Sequence, residues 1–520
     1  MKIQILDSTL REGAQAVGVA YSVNDKIKIV KALDSFGIDI IEAGFPNSSP
    51  KEVEFFNQLS KLKLANSKIS SFGGTKKVGT KPCEDENLLA LLGSNTEYVT
   101  IFGKAWDIQI DKVLQISNEQ NLQIIAESIA FLKSKNKKVI FDAEHYFDGY
   151  FANKNYALNI VEVAFNAGAD VVTLCDTNGG TLPQNLHACL TDTLGKFNGK
   201  TFGIHCHNDA GCATANTLIA TNLGVTHIQG TMTGLGERCG NTDLSEVLPS
   251  LKLKMDLPLS LDLTQITSLS NQINEISNIL PNGTKAYVGK FAFTHKAGMH
   301  IDAMNKYDKA YEHILPKCVG NSTKLLVSDL SGRASVLDKL KLIMPEITKN
   351  SQTTKDILNE LKQLEYSGYA FEGADASLEI LFLKHLNKYK SHFDLVKYIT
   401  SSQLPSVDEQ QTSSAIVHIK VGSKKETAGA LGNGPVNALD IALRKALVVF
   451  FPQIANIHLT DYKVRVLENE QATTARVRVL IESTDGINLW TTVGVSTDII
   501  EASWLALTDA IEYKLNVLNN

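Results

Sequence analysis

An eightfold alternation constrains this chain more than any other feature. From the N-terminus to about residue 250, short apolar runs recur between longer segments of helical period, and nearly every run ends on polar or ionisable residues. The runs are KIQILDS (2–8), IDIIEAG (38–44), KISSFGG (68–74), YVTIFGK (98–104), KVIFDAE (138–144), VVTLCDT (171–177), FGIHCHN (202–208) and THIQGTM (226–232). Strands joined by crossover helices run parallel. Eight such units predict a TIM (β/α)8 barrel, with the C-terminal strand ends gathered around one site. A doubly wound open sheet is the alternative, but it would expose only some of those ends.

At 520 residues the chain is longer than one barrel needs. After residue 260 the period becomes that of amphipathic helix, in SLSNQINEISNIL (268–280) and again near 351–366, interrupted by GKFAFTHKAGMHIDAMNKYDKAYEHI (289–314). The polar stretch SSQLPSVDEQQTSS (401–414) combines Pro and Ser with no apolar period and reads as a linker. Beyond it, strands are expected at 415–421, 461–467, 474–483 and 488–495 and helices at 437–450 and 499–515, so a strands-then-helix unit occurs twice. The predicted organisation is a barrel over 1–262, a helical accessory region completing the site over 263–400, a linker over 401–414 and an α+β domain over 415–520.

Composition narrows the function classes. The chain is 43% hydrophobic and 21% charged with net charge -5, a soluble globular profile without the basic surplus of a nucleic-acid binder. The N-terminus enters a motif directly and no apolar run is long enough to span a bilayer, so a cytoplasmic protein is expected. Seven cysteines without a CxxC pair argue against a disulfide framework or a zinc knuckle.

The motifs carry the chemistry. In HCHND (205–209) the two histidines are two residues apart on a strand and point the same way, which suits either a divalent metal or a hydrogen-bonded pair in a polar mouth. TLREGAQ (9–15) follows the first strand and GLGERCGN (234–241) the eighth, which a closed barrel makes neighbours, so Glu12 and Asn241 come within reach of His205 and His207. Such an N/O set leaves coordination open for substrate oxygens, as in Mg, Mn or catalytic Zn sites. Arg11 is placed to face a developing oxyanion or to form a rim ion pair. Glu144 closes the fifth strand with Asp142 one pleat earlier; the pair offers a base or a helix-capping network. Thr177 in LCDTNGG (174–180) can bind a carboxylate, and HKAGMH (295–300) with Asp302 and Tyr311 offers acid/base groups, His300 among them. Phe72, Phe102 and Asp142 are expected beside the substrate side chain. Gly432, Asn433, Gly434 and Pro435 form either a turn or a cradle of backbone amides for a small carboxylate at a helix start.

TLREG, DAEH, LCDTNGG, HCHND, GLGERCGN and HKAGMH, in this order and on these strand ends, resemble the motifs shared by 2-isopropylmalate, homocitrate and citramalate synthases and, more distantly, by HMG-CoA lyase. IFGKAWD (101–107) and DAEHYFDGY (142–150) are most similar to the citramalate branch. GNGPVNALDIAL (432–443) and TVGVSTDIIEASWLAL (492–507) resemble a regulatory domain that homocitrate synthases generally lack. The resemblance implies an acyltransferase that condenses acetyl-CoA with a 2-oxo acid, pyruvate in the citramalate branch. It implies a divalent metal on Glu12, His205 and His207 with Asn241 as a weaker fourth ligand, Arg11 polarising the keto oxygen, and Thr177 holding the carboxylate. Glu144, His300, Asp302 and Tyr311 would supply acid/base chemistry, and the C-terminal domain would form a homodimer and take isoleucine as inhibitor. Most relatives carry Asp in place of Glu12, which bears on metal geometry and preference. A barrel that senses a metabolite without turnover is the non-enzymatic alternative.

Overall fold

The computed structural model describes residues 2–518 apart from 47, 296–299, 301–302, 305, 308, 326–339, 342, 349–350, 404–412, 468–474 and 487. The described residues divide into two compact units. The first comprises positions up to Phe293 with Glu312–Thr323, the second Thr294–Tyr311 and Lys324 onward.

The first unit is a closed parallel barrel. Its strands are β1 (Gln4–Asp7), β2 (Ile40–Gly44), β3 (Lys68–Gly74), β4 (Tyr98–Lys104), β5 (Lys138–Glu144), β6 (Val171–Asp176), β7 (Phe202–Cys206) and β8 (His227–Gly230). They pair in chain order, and β8 returns to β1 with Gln4 opposite His227 and Asp7 opposite Gly230. The expected β3, β4 and β5 match residue for residue; the other five are shorter by one to three residues where the chain turns into polar loops.

The intervening helices start where the sequence places caps. Ser22 and Asp25 form a reciprocal capping box on the helix Val23–Phe36, as Ser117 and Gln120 do on Asn118–Ser134, and left-handed Gly37 and Gly224 end the helices Val23–Phe36 and Ala213–Leu223. Each helix buries one face against the sheet, with Ile29, Val30, Leu33, Ile125, Ile129 and Leu132 all fully buried. At about 25 cal/mol per Å2 of apolar surface, each such side chain contributes about 1.5–3 kcal/mol. Inside the barrel, Leu6, Ile40, Ile140 and Val171 form a small apolar cluster of their own. Alternate residues on a strand share a face. Ile140, Asp142 and Glu144 therefore climb the inner wall of β5 from that cluster toward the C-terminal rim.

The second unit contains the short parallel pair β9 (Thr294–His295) and β10 (Lys324–Leu325), helices Gln352–Tyr366 and Asp375–His385, and two antiparallel sheets. One sheet is β11 (Asp394–Ser402), β12 (Ser413–Val421) and β13 (Lys424–Gly432), followed by the helix Pro435–Val448. The other is β14 (His458–Val466), β15 (Val477–Thr484) and β16 (Leu489–Ser496), followed by the helix Ile499–Asn516. The expected repetition of strands then helix is present, with three strands in each half. Its core joins Ala415, Val417 and Ile419 of β12 and Val479 and Ile481 of β15 to Leu439, Leu443, Leu507 and Ile511 of the two helices.

Two expectations differ from the structure here. Residues 401–402 and 413–414, read as ends of a linker, are paired strand, since Ser401 faces Ser414 and Ser402 faces Ser413. The sheet of β11 to β13 thus begins at Asp394, inside the stretch read as helical accessory region. Gly432, read as the start of a turn or of a cradle of backbone amides, lies on β13 opposite Ser413. KKETAGALG has weak strand propensity, and its pairing to apolar β12 overrides it. Among the described residues no helix is long and apolar enough to cross a membrane.

Candidate active site

The C-terminal rim of the barrel encloses a cavity of about 240 Å3 whose lining includes Arg11, Glu12, Phe72, Phe102, Asp142, Glu144, Thr177, His205 and His207. Nine of the sequence-predicted site residues therefore converge on one space, contributed by the loop after β1 and by β3 to β7 or the residues just after them.

Glu12, His205 and His207 are buried, and one ligand-type atom from each lies within 4.8 Å of the others. His205 Nε2 stands 3.8 Å from Glu12 Oε1. Burial pushes the Glu12 carboxyl up, but Arg11 and the two imidazoles outweigh it and hold its pKa at about 2. Burial, with His205 as neighbour, lowers His207 to about 3, and burial also lowers His205. An anionic carboxylate between two neutral imidazoles is the donor state a divalent cation requires. Among the buried polar atoms without a hydrogen-bond partner in the described residues are His207 Nδ1 and Asn241 Oδ1. Asn241 bridges to His207 through the backbone, and its Nδ2 donates to Leu235 O at 3.2 Å, which leaves the amide oxygen free. Unsatisfied buried polar atoms beside three ligand-type groups fit an N/O metal site.

Arg11 ties this cluster to the wall. Its Nε donates to Glu42 Oε2 at 2.5 Å, its Nη1 pairs with Glu12, and its guanidinium lies 3.7 Å over the Phe72 ring. Burial works against its charge, but Glu12 and Glu42 hold it firmly protonated. Burying one cation with two carboxylates costs several kcal/mol of hydration per ion, and an apolar trio would give comparable stability. The cluster is therefore better explained by chemistry at the cavity than by folding.

Burial, with Glu42 as second cause, raises Asp142 to about 7. Glu144 pairs with Lys104 Nζ at 2.6 Å. Thr177 Oγ1 accepts the His145 amide at 2.8 Å, which leaves its O–H to donate into the cavity. Phe45 and Phe102 flank Phe72 at ring distances of 5.1 and 5.5 Å and make one wall apolar. At the rim, Arg238 grips Asp209 with two hydrogen bonds of 2.8 and 3.0 Å and donates to Thr177 O, linking the loops after β6, β7 and β8.

Sequence reasoning missed Glu42, Phe45, Gln229 and Arg238. A signal existed for two of them: Glu42 and Gln229 are polar residues in the middle of apolar runs that the barrel buries on both faces. The remaining expected residues belong to the second unit or lie outside the described residues. His300 and Tyr311 belong to the second unit, where their rings stack at 3.9 Å and His295 lies 6.3 Å from His300. Asp302 lies outside the described residues. Gly432, Asn433, Gly434 and Pro435 form the corner from β13 into the next helix. Gly432 is in the strand ladder, and the Asn433 amide donates to Asn437 Oδ1 at 3.2 Å. A Cβ on Gly432 would meet Asn437 Oδ1 at 2.7 Å, so close packing of the corner accounts for that glycine.

Comparison with known proteins extends the geometry to the whole chain. Residues 2–273 match the HMGL-like family, residues 287–368 the homocitrate synthase post-HMGL domain-like family, and residues 372–515 the LeuA allosteric (dimerisation) domain. The chain is 44% identical to the (R)-citramalate synthase of Geobacter sulfurreducens over 99% of its own length and 98% of that protein. It is 45% identical to the (R)-citramalate synthase of Aquifex aeolicus over the same shares. Identity falls to 30% with the 2-isopropylmalate synthase of Streptococcus gallolyticus, across 98% of this chain and 95% of that one. A closed HMGL-like barrel bearing this cavity, joined to a LeuA-type C-terminal domain and matched end to end at such identity, makes the chain a member of the (R)-citramalate synthase family.

Proposed function

We propose that the chain condenses acetyl-CoA with pyruvate and water to give (R)-citramalate and free CoA. The observation that carries this reading is one cavity holding Glu12, His205 and His207 together with Arg11 and Glu144, in a chain matched over 99% of its length to citramalate synthases. A divalent metal held by Glu12, His205 and His207, with Asn241 nearby, supplies Lewis acidity toward the ketone of a 2-oxo acid.

The chain's own groups account for the remaining steps. The Thr177 hydroxyl donates to the carboxylate of the oxo acid, and the wall of Phe45, Phe72 and Phe102 receives its methyl group. Glu144, held by Lys104, takes a proton from the acetyl methyl. The carbon nucleophile forms the new C–C bond at the oxo carbon, and the former ketone oxygen, facing Arg11, takes up a proton. Water then adds to the thioester, the C–S bond breaks, and CoA leaves as its thiol. An apolar wall beside Asp142 disfavours a second carboxylate, which argues against oxaloacetate and 2-oxoglutarate.

The same reading assigns chemistry to residues 1–262 and regulation to the C-terminal part, with isoleucine as inhibitor, a homodimer as the working state and a cytoplasmic location. The LeuA match, which begins at residue 372, supports a regulatory role for that part. Release of free CoA across a panel of 2-oxo acids tests the reaction directly. Pyruvate is expected to show the highest kcat/KM; a higher value for 2-oxoisovalerate would replace this reading with 2-isopropylmalate synthesis.

A further inference from the structure

We infer that Gln229 is a positioning residue that fixes which nitrogen of His205 faces the metal site, and that Asp142 holds Gln229 in the required orientation. The inference rests on the metal reading above and extends it to residues outside the ligand set of Glu12, His205 and His207.

The side chains form a continuous line through the barrel interior. Gln4 Oε1 lies 3.0 Å from His227 Nδ1, His227 Nε2 lies 3.4 Å from Gln229 Nε2, and Gln229 Oε1 lies 2.9 Å from His205 Nδ1. Gln229 Nε2 also donates to Asp142 Oδ1 at 2.9 Å and to Thr173 Oγ1 at 3.1 Å. Gln4 is part-buried, and His227, Gln229, Thr173, Asp142 and His205 are all buried.

Hydrogen-bond polarity leaves one consistent assignment. An amide has one donor end and one acceptor end. One end of Gln229 faces two acceptors, the Asp142 carboxyl and the Thr173 hydroxyl, with His227 Nε2 farther off at 3.4 Å. With Asp142 ionised that end is the NH2 group, because the flipped amide would set its carbonyl oxygen 2.9 Å from a carboxylate oxygen. Its carbonyl then faces His205 Nδ1, which must carry the proton. His205 Nε2 is left as a lone pair on the side of Glu12, 3.8 Å away. An orienting acceptor on the far nitrogen is what a ligating imidazole requires.

The backbone is shaped to admit this line. Gly203 on β7 has no positive φ that would demand glycine, yet a Cβ there would stand 2.6 Å from Thr173 Oγ1 and 2.9 Å from His227 Cδ2. Any side chain at 203 would displace two members of the network.

The test uses the full-length protein and Mn2+ alone, with binding followed by electron paramagnetic resonance. Gln229→Leu should weaken Mn2+ binding about 10–100-fold. Asp142→Leu, which removes the group that prevents the amide flip, should also weaken it, whereas Asp142→Asn keeps an acceptor and should stay within about threefold of the native protein. Nitrogen-15 spectra of the metal-free protein, labelled at histidine, provide a second measurement that needs no metal and survives a poorly folding Gln229 variant. His205 should be protonated at Nδ1 in the native and Asp142→Asn proteins and mixed in Asp142→Leu. Native Mn2+ affinity in both Leu variants, or Nε2 protonation of His205 in the native protein, overturns the inference. A native protein that shows the Nδ1 tautomer but binds no Mn2+ overturns the metal reading and leaves the orientation of His205 standing.

Discussion

The two units differ in how they place buried charge. In the barrel, Arg11, Glu12, Glu42, Asp142, His205 and His207 are buried and share one neighbourhood, each affecting the ionisation of others. In the second unit, buried and half-buried ionisable groups are satisfied pair by pair: Glu512 with His392, Lys514 with Asp485, Asp440 with Arg444, Asp509 with the Ser377 hydroxyl. A parallel barrel brings all its strand ends to one rim, so polar residues placed there meet. Antiparallel sheets with a helix on one face have no such rim, and each charge is matched locally. Concentrated charge marks chemistry in this molecule; dispersed charge marks architecture.

Substitutions in the barrel cluster should have the largest effects. Removing metal with a chelator, or His205→Ala or His207→Ala, should abolish CoA release and restore it on adding back divalent metal only in the native protein. A metal-free native enzyme that retains full turnover would break the link between concentrated charge and chemistry. Next, Arg11→Lys loses the fork that spans Glu12 and Glu42 and should lower kcat by about 10²–10³-fold, the usual cost of one group that stabilises a developing oxyanion. A loss confined to KM would place Arg11 in ground-state binding instead.

Substitutions in the second unit should affect stability with smaller magnitudes. Burial raises Asp509 to about 6 against the Ser377 hydrogen bond that lowers it. A carboxyl whose folded pKa lies above its unfolded value of about 3.8 stabilises the fold fully below that value and loses this contribution as pH rises through about 6. Denaturation of Asp509→Asn should therefore show its stability relative to the native protein improving from pH 4 to pH 7, by up to about 3 kcal/mol. A flat difference would mean that the site is better solvated than its burial implies. The smallest effect is expected at Gly368, where φ is +109° and a Cβ would run into Leu467. Here Arg478 Nε donates to Gly368 O at 2.5 Å and Arg476 to Ser367 O at 2.9 Å, fixing the chain just after the helix Gln352–Tyr366. Gly368→Ala should cost about 1–2 kcal/mol in thermal unfolding, from strain in the left-handed region.

The same contrast explains how much the sequence disclosed. His205 and His207 were legible because strand period alone aligns them, and Glu12 because barrel closure makes β1 the neighbour of β8. Gln229 stands out as a polar residue in an apolar run, but its role was not legible, because its partners Asp142, Thr173 and His205 come from three other strands and no local spacing joins them. In the second unit, β12 and β14 to β16 carry strong apolar or β-branched patterns, whereas β11 is largely exposed and β13 is rich in alanine and glycine. Those two strands exist because β12 offers a ladder on both edges.

The sequence by itself determined the eight parallel units, the repeated strands-then-helix pattern and the alignment of His205 with His207, since each follows from periodicity along the chain. Only the tertiary structure decided the tautomer-setting line from Gln4 to His205, the Arg11 bridge between Glu12 and Glu42, and the strands that border β12. These depend on which side chains meet across strands distant in sequence, and their cause is the low-dielectric interior, where every donor must find the acceptor that the fold places opposite it.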